Sequence, residues 1–226
     1  MEQWLLLMLA TAPGLLWLYY FYSKDRYDPE PVVWVLGIFL LGATVTVPVA
    51  VLEGLLGGAA GGILAAVLVA PVCEEVAKYL VVKKTVYRSR VFDEPVDGII
   101  YAAAAGLGFA SIENIVYVFS ALDESLLFAL QTGLFRGLIS VPGHVLFSVM
   151  WGSALGMARF MPEQEGSALV RKGLVLAIVA HATFNFLLLS AVGFALVVLI
   201  LVPALWVLTE RHIRQAVAQS FFKKVG

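Results

Sequence analysis

The sequence predicts an all-α protein, a polytopic transmembrane helical bundle of about seven spans, with eight as the alternative count. Three observations carry that prediction. Of the 226 residues, 61% are hydrophobic and only 14% are charged; the mean hydropathy is +0.93; and the apolar residues fall in runs long enough to cross a bilayer at 1.5 Å per helical residue. A water-soluble domain has too little interior to hide that much apolar surface. The net charge of −1 leaves no electrostatic footprint for nucleic acid, so no nucleic-acid partner is expected.

The first span, 4–22, opens without a basic n-region and closes on Tyr19, Tyr20 and Tyr22 with no small-residue cleavage site. That pattern predicts a retained helix with an interfacial aromatic belt. The second, 32–52, runs into Gly57-Gly58-Ala59-Ala60-Gly61-Gly62, a tight external turn or a close helix crossing. The third, 61–82, holds the single cysteine, Cys73, which has no intrachain partner and reads as a small packing residue. The fourth, 97–119, carries a small-residue face from Ala102 to Gly108 that lets backbones approach. The fifth, 126–159, is too long for one straight span and contains Arg136 and Pro142. It reads as a re-entrant or interfacial piece, 126–139, followed by a main helix, 140–159, kinked near the proline. The sixth, 173–192, and the seventh, 193–209, join so closely that one broken unit is the alternative.

Basic residues alternate between connections. Lys24 and Arg26 follow the first span, Lys83, Lys84, Arg88 and Arg90 the third, Arg159, Arg171 and Lys172 the fifth, and Arg211, Arg214, Lys223 and Lys224 the last. The positive-inside rule then predicts a multi-pass protein of the cell membrane, N-terminus outside and C-terminus cytoplasmic. The chain reads as one integral-membrane unit, 1–226, with 211–226 as a cytoplasmic basic tail that includes His212. Asp97 and Arg159 read as interfacial, Asp93 and Glu94 as solvated loop charges, and Arg136 as a snorkelling or phosphate-facing side chain.

Ionisable groups inside these spans carry the functional signal. Glu74, Glu75 and Lys78 sit in the third span, Glu113 with Asn114 in the fourth, His144 with Ser148 in the fifth, and His181 with Asn185 in the sixth. Each ionised group near a span centre costs roughly 2.5–3.5 kcal/mol on insertion scales, so polar side chains on four helices are expected to turn from lipid into one shared interior. Glu74 and Lys78 are four residues apart in the favourable acid-first order, and His181 and Asn185 share a helical face by the same spacing. Neighbouring Glu74 and Glu75 differ by about 100° around the axis, so one is expected to be held while the other faces a reacting centre.

Carboxylates and imidazoles in a wet intramembrane cavity support hydrolysis by two routes. One or both of Glu74 and Glu75 act as general base toward water, assisted by Glu113, while His181 and Asn185 stabilise the oxyanion and His144 orients the substrate. Alternatively a divalent metal such as zinc, with Glu113, His144 and His181 as candidate ligands, supplies the nucleophilic water. The same residue types also suit a proton-coupled transporter or channel. The bland reading of Glu74 with Lys78 is a pair that fixes helix register.

Taken together, Ala70-Pro71-Val72-Cys73-Glu74-Glu75-Val76-Ala77-Lys78, Asp97-Gly98, Gly106-Leu107-Gly108-Phe109-Ala110-Ser111-Ile112-Glu113-Asn114, Pro142-Gly143-His144 and His181-Ala182-Thr183-Phe184-Asn185 resemble the PrsW family of bacterial intramembrane proteases over roughly residues 30–190. The resemblance implies a membrane-embedded endopeptidase related to the glutamate-dependent CAAX prenyl proteases. It also implies a membrane-spanning protein substrate and a first cut in a regulatory protein such as an anti-sigma factor. By motif, Glu74 and Glu75 match the acidic pair, Glu113 closes the FxxxE block, and His144 and His181 match the two histidine blocks, with Asn185 beside His181. The prenyl-protease branch has histidine where this chain has Glu113, which keeps the glutamate and metal routes both open.

Overall fold

Within a bilayer every backbone N–H and C=O needs a partner inside its own segment, so long apolar runs fold as helices. In the computed structural model, which describes residues 2–223, these runs form seven helices with no strand among the described residues. They are α1 (Glu2–Tyr22), α2 (Val32–Ala60), α3 (62–85), α4 (Asp97–Leu122), α5 (Leu126–Ala158), α6 (Glu163–Leu187) and α7 (Ala191–Ala218). All but α3 are long and apolar enough to cross a membrane by composition. In α3, Glu74, Glu75, Lys78, Lys83 and Lys84 lower the hydropathy of a helix that is itself long enough to span.

Two boundaries differ from the sequence reading, and a third joint keeps its two-span form. Residues 53–60 are helical, so α2 meets α3 at Gly61 alone, whose φ of +83° is open to glycine. The stretch 126–158 is one continuous helix with no re-entrant piece, because a widened turn at Arg136–Ser140 absorbs the strain of Pro142. Helices α6 and α7 are separate, with Ser190 capping α7 by accepting from the Gly193 N–H at 3.0 Å. Of the expected tail, residues up to Ala218 continue α7, Ile213 is buried, Phe221 packs edge-on against Phe160 at 5.0 Å, and residues 224–226 lie outside the described part.

Helix α4 forms the centre, packed by α2, α5 and α1. Its small residues permit this: Ala102, Ala103, Ala104 and Ala105 are fully buried, and a Cβ at Gly108 would overlap the Phe39 carbonyl of α2. Helix α5 is also buried along most of its length, whereas α1 and α7 leave Trp4, Leu16, Tyr19, Leu199 and Ile200 on an outer apolar face suited to lipid.

A recurring local feature positions the polar residues. Wide π turns occupy Ala65–Val69, Arg136–Ser140 and Val197–Leu201, and each ends two residues before a proline: Pro71, Pro142 and Pro203. Proline lacks the N–H that an α-helical turn needs and its ring presses on the carbonyl four residues back, so a wider turn relieves both defects. Two of these turns lie just ahead of Glu74 and His144.

At one end of the bundle the loop 23–31 meets the segment 86–96. Glu94 is 1% exposed, not solvated as its position suggested, and Asp97 at the start of α4 is equally buried. The Asp97 carboxylate accepts from the backbone N–H groups of Asp93 (2.8 Å) and Glu94 (2.7 Å), which turns the chain inward ahead of α4. Asp25 accepts from the Glu30 N–H at 2.9 Å, and the Tyr101 hydroxyl donates to Glu30. Burial pushes the Asp25 carboxyl up to about 7 and, with the nearby Asp97 charge, Glu30 up to about 9. Groups raised in this way bind their protons more tightly when folded. Their contribution is whole below the unfolded carboxyl range and is lost as pH rises through 7 and then 9. The melting temperature in detergent is therefore expected to fall between pH 6 and pH 9, and Glu30→Gln to flatten that fall; a pH-independent melt would contradict it.

Candidate active site

The four polar clusters converge. Lys78 is fully buried at their middle, and an ammonium has three N–H donors. All three are used: on Glu74 Oε2 at 3.0 Å, Glu75 Oε1 at 2.9 Å and His144 Nδ1 at 2.9 Å, with the Phe109 ring 4.3 Å away on another side. Since an ammonium only donates, His144 Nδ1 must accept. The neutral imidazole then carries its proton on Nε2 and donates it to Glu113 Oε2 at 2.9 Å. Glu113 also accepts from Arg136 Nη2 at 2.7 Å.

Glu74 and Glu75 have different surroundings. Glu75 is fully buried and accepts four bonds: from Lys78, from His181 Nδ1 (3.2 Å), from Ser148 Oγ (3.2 Å) and from Trp151 Nε1 (3.1 Å). Its lone pairs are spent and it does not reach the cavity wall. Glu74, about 100° away around α3, lines a cavity of about 390 Å³ together with Glu53, Glu113, His144, His181 and Asn185. The rings of His144 and His181 meet edge to face at 5.2 Å, and Phe147 stacks on His181 at 4.7 Å. Because His181 gives its Nδ1–H to Glu75, its Nε2 is left for whatever enters the cavity.

Other polar residues have structural partners. Asn185 donates from Nδ2 to the Ala66 carbonyl at 2.8 Å, tying α6 to the widened turn of α3 and leaving one amide N–H over. Asn114 bridges the Ala10 carbonyl (2.8 Å) and Arg136 Nε (3.1 Å). Arg136 does not snorkel: its guanidinium lies 3.9 Å over the Tyr117 ring and pairs with Glu113, a partner 23 residues away that spacing alone does not reveal. His212 contacts Ser153 at 3.2 Å, remote from this set. Two participants give no signal in the sequence: Trp151, an aromatic in an apolar run, and Glu53, which a second span of 32–52 leaves just outside its helix.

Glu74, His144 and His181 each offer one ligand atom within 4.8 Å of the others, so by donor type they form a possible metal-binding triad. The hydrogen bonding does not fit an ion there. A metal-bound imidazole passes its other N–H to an acceptor, whereas Nδ1 of His144 faces the ammonium of Lys78, which has only protons to give. Ligation through Nδ1 would instead displace Lys78 from the two glutamates it neutralises.

A model of the family described as PrsW family intramembrane metalloprotease matches residues 30–208. Proteins named Protease PrsW are similar over nearly their whole length: one from Clostridioides difficile strain 630 is 36% identical over 89% of this chain and 87% of its own. One from Geobacillus kaustophilus is 37% identical over 93% and 92%, and one from Bacillus subtilis strain 168 is 32% identical over 92% and 93%. No solved structure matches. With a matching family over four-fifths of the chain and buried glutamates and histidines gathered inside a multi-pass helical bundle, the chain belongs to the PrsW family and is an intramembrane protease acting on a membrane substrate.

Proposed function

We propose that this protease makes the first cut in a single-span regulatory protein of the cell membrane, such as an anti-sigma factor, with Glu74 as the base that activates water. One observation carries the assignment: of two adjacent glutamates, Glu75 is sealed behind four donors and Glu74 borders the cavity. Glu75 positions; Glu74 reacts. Water gives a proton to Glu74 as its oxygen adds to the scissile carbonyl. The oxyanion is held by the free amide N–H of Asn185 and by His181 protonated on both nitrogens, whose charge Glu75 balances. Glu74 then hands its proton to the departing amine, and the acyl carbon leaves as a carboxylic acid.

Among the groups in contact, Glu74, Glu75 and Glu113 face two fixed cations, Lys78 and Arg136, so one further proton makes the set neutral. His181 is the imidazole that touches a carboxylate without touching a cation. Glu113 and His144 hold Lys78 in place from the opposite side, and Arg136 anchors Glu113. Since Lys78 supplies positive charge where a metal would, no step passes through a metal ion. The alternation of basic connections supports an outside N-terminus and a cytoplasmic C-terminus.

Two measurements test this reading. Membranes from cells carrying the Glu74→Gln protein are expected to accumulate an uncut single-span protein that the unsubstituted enzyme processes. Reconstituted with that protein, the enzyme is expected to keep its rate in 1,10-phenanthroline and to carry less than stoichiometric metal by elemental analysis. Activity abolished by chelation and restored by one divalent ion would overturn the metal-free mechanism.

A further inference from the structure

We infer, on the peptidase reading above, that Glu53 of α2 holds the substrate peptide group that leaves its helix beside the scissile bond. A membrane-spanning helix hides its peptide groups in its own hydrogen bonds, and cutting it requires that some be released. Each released N–H left without an acceptor in a dry site costs several kcal/mol. The cavity must therefore bring an acceptor of its own.

Several acceptors around the cavity are engaged: Oε2 of Glu74 by Lys78, Oε2 of Glu113 by Arg136 and His144, and the Ala66 carbonyl by Asn185. The second oxygen of Glu74 is reserved for the proton of water. Glu53 differs in having an oxygen that is buried and idle. It lines the same cavity, and among the described residues its Oε1 is the only buried side-chain oxygen in that wall with no hydrogen-bond partner. Nor does it pair with any cation among the described residues. Buried polar atoms in folded proteins are nearly always satisfied, so an orphan on the wall of a reaction cavity marks a place for a ligand donor. A carboxyl oxygen is an acceptor of the kind a released peptide N–H needs.

Binding, separated from cleavage, tests this. The full chain carrying Glu74→Gln, in lipid nanodiscs, is titrated with a fluorescent single-span Leu/Ala peptide that has a central Gly-Gly pair to ease unwinding. Adding Glu53→Leu is expected to weaken binding about tenfold, the size of one lost buried hydrogen bond. Glu53→Gln, which keeps an acceptor of the same shape, is expected to lose less than about threefold. A peptide N-methylated at the four central bonds is expected to bind both the parent and Glu53→Leu equally weakly. Melting of Glu53→Leu at the parent temperature establishes that the fold is intact. Equal binding by parent and Glu53→Leu would overturn the assignment. So would a loss in Glu53→Gln as large as in Glu53→Leu and confined to peptides with a central lysine, which would make Glu53 a charge reader. Cleavage by the unsubstituted enzyme alongside Glu53-independent binding sinks Glu53 alone. Glu53-dependent binding without cleavage supports Glu53 and sinks the peptidase step.

Discussion

Glu74→Gln is expected to lower kcat by about 10³-fold, the usual worth of a positioned general base, while leaving KM and the folded state near their parent values. The amide keeps an oxygen for Lys78 and the same volume, so the bond at 3.0 Å has a replacement acceptor. What disappears is the ability to take a proton from water. Glu75→Gln is expected to behave differently. Four donors converge on that carboxylate in a fully buried place, so an amide there turns two of its own protons toward groups that also donate. The result is a protein that melts early and is inactive for that reason. Single-turnover cleavage and detergent melting, run on both variants, separate the two roles. Full turnover in Glu74→Gln, or a Glu75→Gln protein that is inactive yet as stable as the parent, would reverse the assignment.

Lys78→Met is expected to destabilise the bundle by about 3–5 kcal/mol, the range seen when one partner of a buried charge pair is removed. Methionine resembles the lysine stem in shape, so little packing is lost. Two adjacent carboxylates would then lie in a dry interior with no ammonium between them, and His144 would lose the donor that sets its tautomer. Unfolding titrations in mixed micelles measure the loss. Glu75→Gln placed on top of Lys78→Met should cost much less than either change predicts alone, because the second substitution removes a charge that the first has orphaned. Additive losses would mean that Lys78 and Glu75 do not act as a pair.

The all-helical bundle and the buried polar set could be anticipated from sequence for a specific reason. Charge inside an apolar span is so costly that Glu74, Lys78, Glu113, His144 and His181 had few alternatives to meeting one another. The small face from Ala102 to Gly108 likewise foretold close approach, and Gly42 of α2 meets it at the Ala105 backbone. Other features depend on distance in space. Arg136 finds Glu113 across 23 residues, and Trp151 reaches Glu75 across 76. Neither follows from helical spacing within one element. Glu53 was obscured by a boundary: with α2 ended at 52, an acid at the next position looks like a loop charge, and only the continuation of the helix to Ala60 turns it inward.

The widened turn at Ala65–Val69 also decides which residue does what farther along α3. Such a turn consumes one more residue than an ordinary turn covering the same rise. Were the stretch to wind regularly from the same starting point, every later place on the helix would be filled by the preceding residue. Cys73 would then stand at the water-facing spot, Glu74 would drop into the sealed niche among Trp151 and Ser148, and Ala77 would take the seat of the central ammonium. The order of two neighbouring glutamates, one working and one supporting, is thus set by counting, several residues upstream of either.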